Sequence, residues 1–125
     1  MLHLPPLTIL VVDDEILIGR VLERLFGPPH QVVTATTVEE AIPLLNQYSF
    51  DVVLSDLHLS EQSGLALLAH LTAHHADLAT RLLFLTGGIT DDDTAARLRS
   101  LDNPVLCKPF DIPDLVAEIE ALLPD

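Results

Sequence analysis

Five short apolar runs alternate with five helical patterns along this chain of 125 residues, and that alternation constrains the fold more than any other feature. The runs are LTILVV at 7–12, QVVTA at 31–35, DVVLSD at 51–56, RLLFLTGG at 81–88 and PVLCKPF at 104–110. Their interiors are continuously apolar rather than alternating. A strand of that kind is covered on both faces, which is the condition of a parallel sheet sandwiched between helices. Between the runs, apolar residues recur at helical spacing, as in Ile18, Val21, Leu22 and Leu25. Helices are expected over 15–26, 36–48, 63–75, 91–101 and 111–123. Right-handed crossovers then give an α/β fold of three layers. No repeat, linker or low-complexity tract interrupts residues 1–125, so they read as a single domain.

Local signals refine the boundaries. The GPPH stretch at 27–30 breaks the first helix. Thr36 or Thr37 caps the second, and Pro43 within it is expected to kink it or end it early. Asp91, Asp92 and Asp93 read as a capping run for the fourth helix, where the dipole favours acids. Asp51 starts a strand and reads as a turn residue. Glu15 reads as a first-turn helix charge rather than a ligand.

In a parallel sheet all strand C-termini share one edge, and function collects there. Asp13 and Asp14 follow the first strand, Asp56 ends the third, Thr86 ends the fourth and Lys108 follows the fifth. The second strand ends blandly, as an edge strand away from a site would. Three carboxylates in one crevice repel: two like charges about 4 Å apart cost roughly 4 kcal/mol at an effective dielectric of 20. Either the carboxylates protonate or something positive stands among them. Lys108 supplies one charge, and a hard divalent ion such as Mg2+ suits the remaining oxygen ligands.

Charge narrows the function classes. The formal net charge is −13, from 19 acids against 6 Lys and Arg. Phosphate-mediated nucleic-acid binding and docking on an anionic membrane both need the opposite sign. No segment reaches the roughly 20 apolar residues of a membrane span. The MLHLPPL start lacks a basic n-region and a long apolar run, so no signal peptide is expected. The single cysteine, Cys107, cannot form an internal disulfide, which fits a reducing compartment, and it reads as a small buried thiol. A cytoplasmic location is the expectation.

The set VVDDE, VVLSDLHLSEQSG, FLTGG and LCKPF, in that order, resembles the receiver domain of two-component response regulators and hybrid histidine kinases. The resemblance covers about residues 7–123. It implies a flavodoxin-like sheet of order 2-1-3-4-5 with five helices. It implies that Asp56 is a phospho-acceptor and that Asp14 and Asp56 ligate Mg2+, Asp13 helping directly or through water. The backbone carbonyl of His58 would be a further metal ligand. Thr86 would bond a phosphoryl oxygen, and Lys108 would pair with the phosphoryl group. Pro109 matches a proline that follows this lysine through a cis bond, and Gly64 matches the glycine eight residues past the acceptor. The implied partner is a sensor histidine kinase or a histidine phosphotransfer protein, docking near Ile16, Leu17, Arg20 and Arg24. A homodimer through the fourth helix, fifth strand and fifth helix is the self-association that the resemblance allows. Such a domain is a signalling acceptor that assists its own phosphorylation and dephosphorylation, not an enzyme with a separate substrate.

Departures from the pattern matter too. The family often carries an aromatic three residues before the lysine, where this chain has Val105, so signalling through loop motion alone is expected. Ser60 stands where a proline is usual, which should loosen the loop after the third strand. His58 is placed to tune phosphoryl lifetime. Two rival readings remain. A pseudo-receiver would bind partners without accepting phosphate. An aspartyl-nucleophile phosphohydrolase would need an Asp-x-Asp pair, whereas these acids are adjacent. His70 and His74 lie four apart, a spacing that can bind zinc; with no third ligand evident they read as a solvated face.

Overall fold

A computed structural model describes residues 4–59, 62–89 and 91–124. The strands are β1 (Thr8–Val12), β2 (Gln31–Ala35), β3 (Val52–Asp56), β4 (Leu82–Thr86) and β5 (Val105–Cys107). The helices are α1 (Ile16–Phe26), α2 (Val38–Gln47), α3 (Gly64–His74), α4 (Ala76–Ala79), α5 (Asp92–Arg99) and α6 (Ile112–Leu122). All strand pairings are parallel and the sheet order is β2-β1-β3-β4-β5. This is the expected flavodoxin-like sandwich.

The continuous apolar runs work as a parallel sheet requires. Successive residues point to opposite faces. In β1, Leu10 and Val12 enter one core with residues of α2 and α3, while Ile9 and Val11 enter the other with residues of α1 and α6. In β4, Leu82 and Phe84 join the first core, and Leu83 and Leu85 the second. Every residue of β3 and β4 is buried. Full burial of one such side chain contributes about 1.5–3 kcal/mol, so the central strands anchor the site edge rigidly.

The helices depart from expectation in two places. The third helical pattern breaks at His75, where ψ is 62°, and a short α4 follows, so there are six helices rather than five among the described residues. Pro43 does not end α2, which continues to Gln47. Pro43 is exposed, so water can hydrate the carbonyl that its missing N–H leaves unbonded. Thr37 is the cap: its hydroxyl accepts from Glu40 N at 3.0 Å, and Glu40 Oε1 accepts from Thr36 N at 2.7 Å. Asp51 does more than turn the chain. Its Oδ2 accepts from Thr8 N at 2.8 Å and its carbonyl accepts from Arg81 Nε at 2.7 Å, tying the starts of β1 and β4 to β3.

Cys107 is exposed rather than buried. The cause is its place at the end of β5, a three-residue edge strand that is only partly covered. Ser60, expected to loosen its loop, lies outside the described residues.

Gly64 opens α3 directly against the end of β3. A Cβ built there would stand 2.5 Å from the Asp56 carbonyl oxygen. Gly64 N also donates to Leu57 O at 2.8 Å. Gly64→Ala is therefore expected to overpack this junction and to cost about 1–3 kcal/mol, read as a lower urea midpoint. An unchanged midpoint would show that the junction relaxes freely.

Candidate functional site

The sheet register brings the strand ends together. Val12 stands opposite Ser55, Asp56 opposite Leu85 and Thr86 opposite Cys107. The residues that follow β1 and end β3 therefore face each other across adjacent strands. This is where strand order reverses: α1 leads from β1 to β2 on one side, and α2 returns to β3 on the other. A crevice at that point is the usual ligand site of open α/β sheets.

Lys108 fills the crevice. Its Nζ lies 2.8 Å from Asp13 Oδ2, 3.1 Å from Glu15 Oε1 and 3.3 Å from Asp56 Oδ2. Its own backbone is held by Lys108 N donating to Thr86 O at 2.7 Å. The Lys108–Pro109 bond is cis, as expected. Asp13 and Asp56 are buried, whereas Glu15 is exposed. Their remaining oxygens accept backbone amides. Asp13 Oδ1 takes Glu15 N at 2.8 Å, and Asp56 Oδ1 takes His58 N at 3.0 Å. These short loops aim both carboxylates at the same point.

The electrostatics leave an excess. Three carboxylates on one ammonium carry a formal charge of −2, that is, −3 plus 1. Burial opposes the charge of Lys108, but its hydrogen bonds to Asp13 and Glu15 and the charges of Asp13 and Asp56 outweigh this and hold its pKa above the ordinary value. Burial pushes Asp13 above the usual carboxylate range, partly offset by its bonds to Lys108 and the Glu15 amide. One oxygen from each of Asp13, Glu15 and Asp56 lies within 4.8 Å of the others. Hard carboxylate oxygens so placed, with charge to spare, fit a divalent ion of the Mg2+ type.

Thr86 is buried, and its hydroxyl donates to Gly88 O at 3.0 Å while accepting from Gly88 N at 3.1 Å. His58 Nε2 lies 3.1 Å from the same Gly88 carbonyl. Gly88 has φ of 150°, a conformation that suits glycine. The loop after β4 is thus strapped across the crevice mouth by two side chains on one carbonyl.

Of the expected residues, Asp13, Asp56 and Lys108 meet directly, and Thr86 and His58 meet at Gly88. Asp14 is half-buried beside them and is not one of the three acids whose oxygens converge. Glu15 takes that third place. Its signal was present in the run of three acids, but the N-cap position that turns its side chain toward Lys108 is set by the β1–α1 turn.

A doubly wound α/β sandwich with an acid-and-lysine crevice at its switch point defines a domain whose site fits a divalent cation. Comparison with known proteins makes the assignment specific. The response regulator receiver domain profile matches residues 9–120, and the chain belongs to that family. It is 34% identical over 117 residues to the response regulator protein PmrA of Pseudomonas aeruginosa, covering 91% of this chain and 51% of that protein. The chain therefore spans about half the length of the curated relatives it matches. Among solved structures, a response regulator from Chloroflexus aurantiacus superposes with a TM-score of 0.78 at 28% identity, covering 94% of this chain and 98% of that one. TrrA from Thermotoga maritima, in complex with Mg2+-BeF, gives 0.75 at 27% identity, covering 93% and 98%. Receiver domains are signalling domains. Among the described residues no helix is long and apolar enough to cross a membrane.

The raised pKa of Asp13 has a measurable consequence. An acid whose pKa is higher folded than unfolded weakens the fold when ionised, and that cost disappears as pH falls through the folded value. In EDTA at neutral pH, Asp13→Asn is expected to be more stable than the parent. The gap should narrow as pH falls through the raised folded-state value toward the ordinary carboxylate range. Urea unfolding across that range checks it, and a gap independent of pH would contradict the assignment.

Proposed function

We propose that this chain is a phosphorelay receiver that takes a phosphoryl group from a phosphohistidine onto Asp56. The donor would be a sensor histidine kinase or a histidine phosphotransfer protein. The observation that carries this reading is the ion pair of buried Asp56 with Lys108, next to Asp13, at the C-terminal edge of the sheet. A carboxylate is a competent phosphoryl acceptor and needs no separate base. An Asp56 oxygen attacks phosphorus as the P–N bond breaks, and the electron pair stays on the departing imidazole nitrogen. Such transfer relies on alignment and charge neutralisation.

Asp13, Asp14 and Asp56, with the backbone carbonyl of His58, are the groups proposed to hold Mg2+, and Glu15 is close enough to join them. The ion supplies neutralisation between the carboxylates and the phosphoryl oxygens. Lys108 would shift from the carboxylates toward the phosphoryl group. Thr86 would release Gly88 O and donate its hydroxyl to a phosphoryl oxygen, moving the loop that leads into α5. The conformational change would then spread over α5, β5 and α6, the surface proposed for output or homodimerisation. Val105 is already half-buried against the α2–α3 core, which supports signalling by loop motion without an aromatic swing. For donor docking, Ile16, Leu17 and Val21 are exposed on α1 beside the crevice, with Arg20 and Arg24 on the same helix.

The test is incubation with a small phospho-donor and Mg2+, followed by intact mass. A single phosphoryl adduct is expected, absent in Asp56→Asn. No adduct would favour a pseudo-receiver, and multiple turnover on phosphate esters a hydrolase. Loss of the His58 tether in His58→Ala should speed decay of the adduct by about fivefold, the value of one modest hydrogen bond. An unchanged decay rate would remove His58 from the mechanism.

A further inference from the structure

Three histidines lie far from the crevice and take no part in its chemistry. α3 begins at Gly64 beside Asp56 and ends at His74, about 15 Å along its axis, so its last turn lies toward the opposite edge of the sheet. His70 and His74 are one turn apart there, and the break before α4 folds His75 back toward them. The ring centres of His70 and His74 are 4.7 Å apart, and those of His70 and His75 are 6.0 Å apart. The planes are tilted by 41° and 45°, so the rings are not stacked. The helix break supplies the third imidazole that the i, i+4 spacing alone lacks.

We propose that His70, His74 and His75 form a second cation site, for a borderline transition ion of the Zn2+ type, remote from the Asp56 crevice. The spacing fits such an ion. A zinc-bound imidazole nitrogen lies about 2.0–2.1 Å from the metal and about 1.15 Å from its own ring centre, which puts that centre about 3.2 Å from the ion. Two rings bound at the tetrahedral angle then stand about 5.2 Å apart, centre to centre. The observed separations fall on either side of that value.

The rings have to turn to aim their nitrogens inward. Among the described residues only Asp13, Glu15 and Asp56 already bring three ligand atoms within 4.8 Å of one another. Turning is cheap here. His74 is exposed, and His70 and His75 are half-buried. The His70 ring contacts both His74 and His75, and none of the three side chains holds a hydrogen bond to other described residues. Asp77 shares a surface groove with His75 and adds negative charge nearby. Ligand softness separates the two sites, because imidazole suits Zn2+, Ni2+ and Cu2+ whereas carboxylate oxygens suit Mg2+.

The experiment is a calorimetric Zn2+ titration of the full chain with excess Mg2+ present, with imidazole resonances followed by NMR. One Zn2+ per chain is expected, with shifts at His70, His74 and His75. His74→Gln, at an exposed position, and His70→Gln should each weaken binding about tenfold or more. Asp56→Asn should leave Zn2+ binding unchanged. The proposal is overturned if Zn2+ does not bind, if binding survives both histidine changes, if it falls with Asp56→Asn, or if one ion is bound per two chains.

Discussion

One ammonium group held among three carboxylates is the constraint on which the rest of this structure depends. Lys108 reaches Asp13, Glu15 and Asp56 from the far side of the sheet, across β4 and β3. Two of those acids are buried, and burying unpaired charge is costly. The fold accepts them because it sets them at the ends of buried central strands and delivers a cation from the edge strand β5. The neutralisation is incomplete by design of the geometry. A crevice with charge to spare fits a divalent ion, and on the reading proposed above Lys108 would move to admit a phosphoryl group.

The same arrangement explains how a local event can reach the surface. Thr86 sits at the end of β4 with its hydroxyl turned onto Gly88, and His58 from the neighbouring loop shares that acceptor. The strap is made of two hydrogen bonds, each of modest net worth. On the reading proposed above, a phosphoryl group on Asp56 would compete for the threonine on favourable terms, since bonds to charged acceptors are about twice as strong. The loop leads directly into α5, whose Asp91 cap is set by the Thr94 amide at 2.8 Å. A small change at the crevice therefore meets a helix that is lightly held.

Much of this was legible in the residues. Continuous apolar runs announce a doubly covered sheet because buried parallel strands have no solvent face. Asp56, Thr86 and Lys108 stand out because each ends or follows such a run, and register brings strand ends together whatever the helices do. Other features depended on three-dimensional context. The role of Glu15 follows from a turn that points its side chain at a lysine 93 positions away. The exposure of Cys107 follows from β5 being short and at the edge. The split between α3 and α4 turns on the conformation of one residue, His75, which periodicity does not register. Pro43 is tolerated because the carbonyl of exposed Glu39, which its missing N–H leaves without a donor, can meet water.

The most direct measurement of the central claim is the stability of Lys108→Met with and without Mg2+. Removing the ammonium strands Asp13 and Asp56 together, so unfolding in EDTA should show a loss on the order of 2 kcal/mol. Mg2+ should then restore more stability to this variant than it adds to the parent. A variant as stable as the parent in EDTA, and no more responsive to Mg2+, would contradict the account.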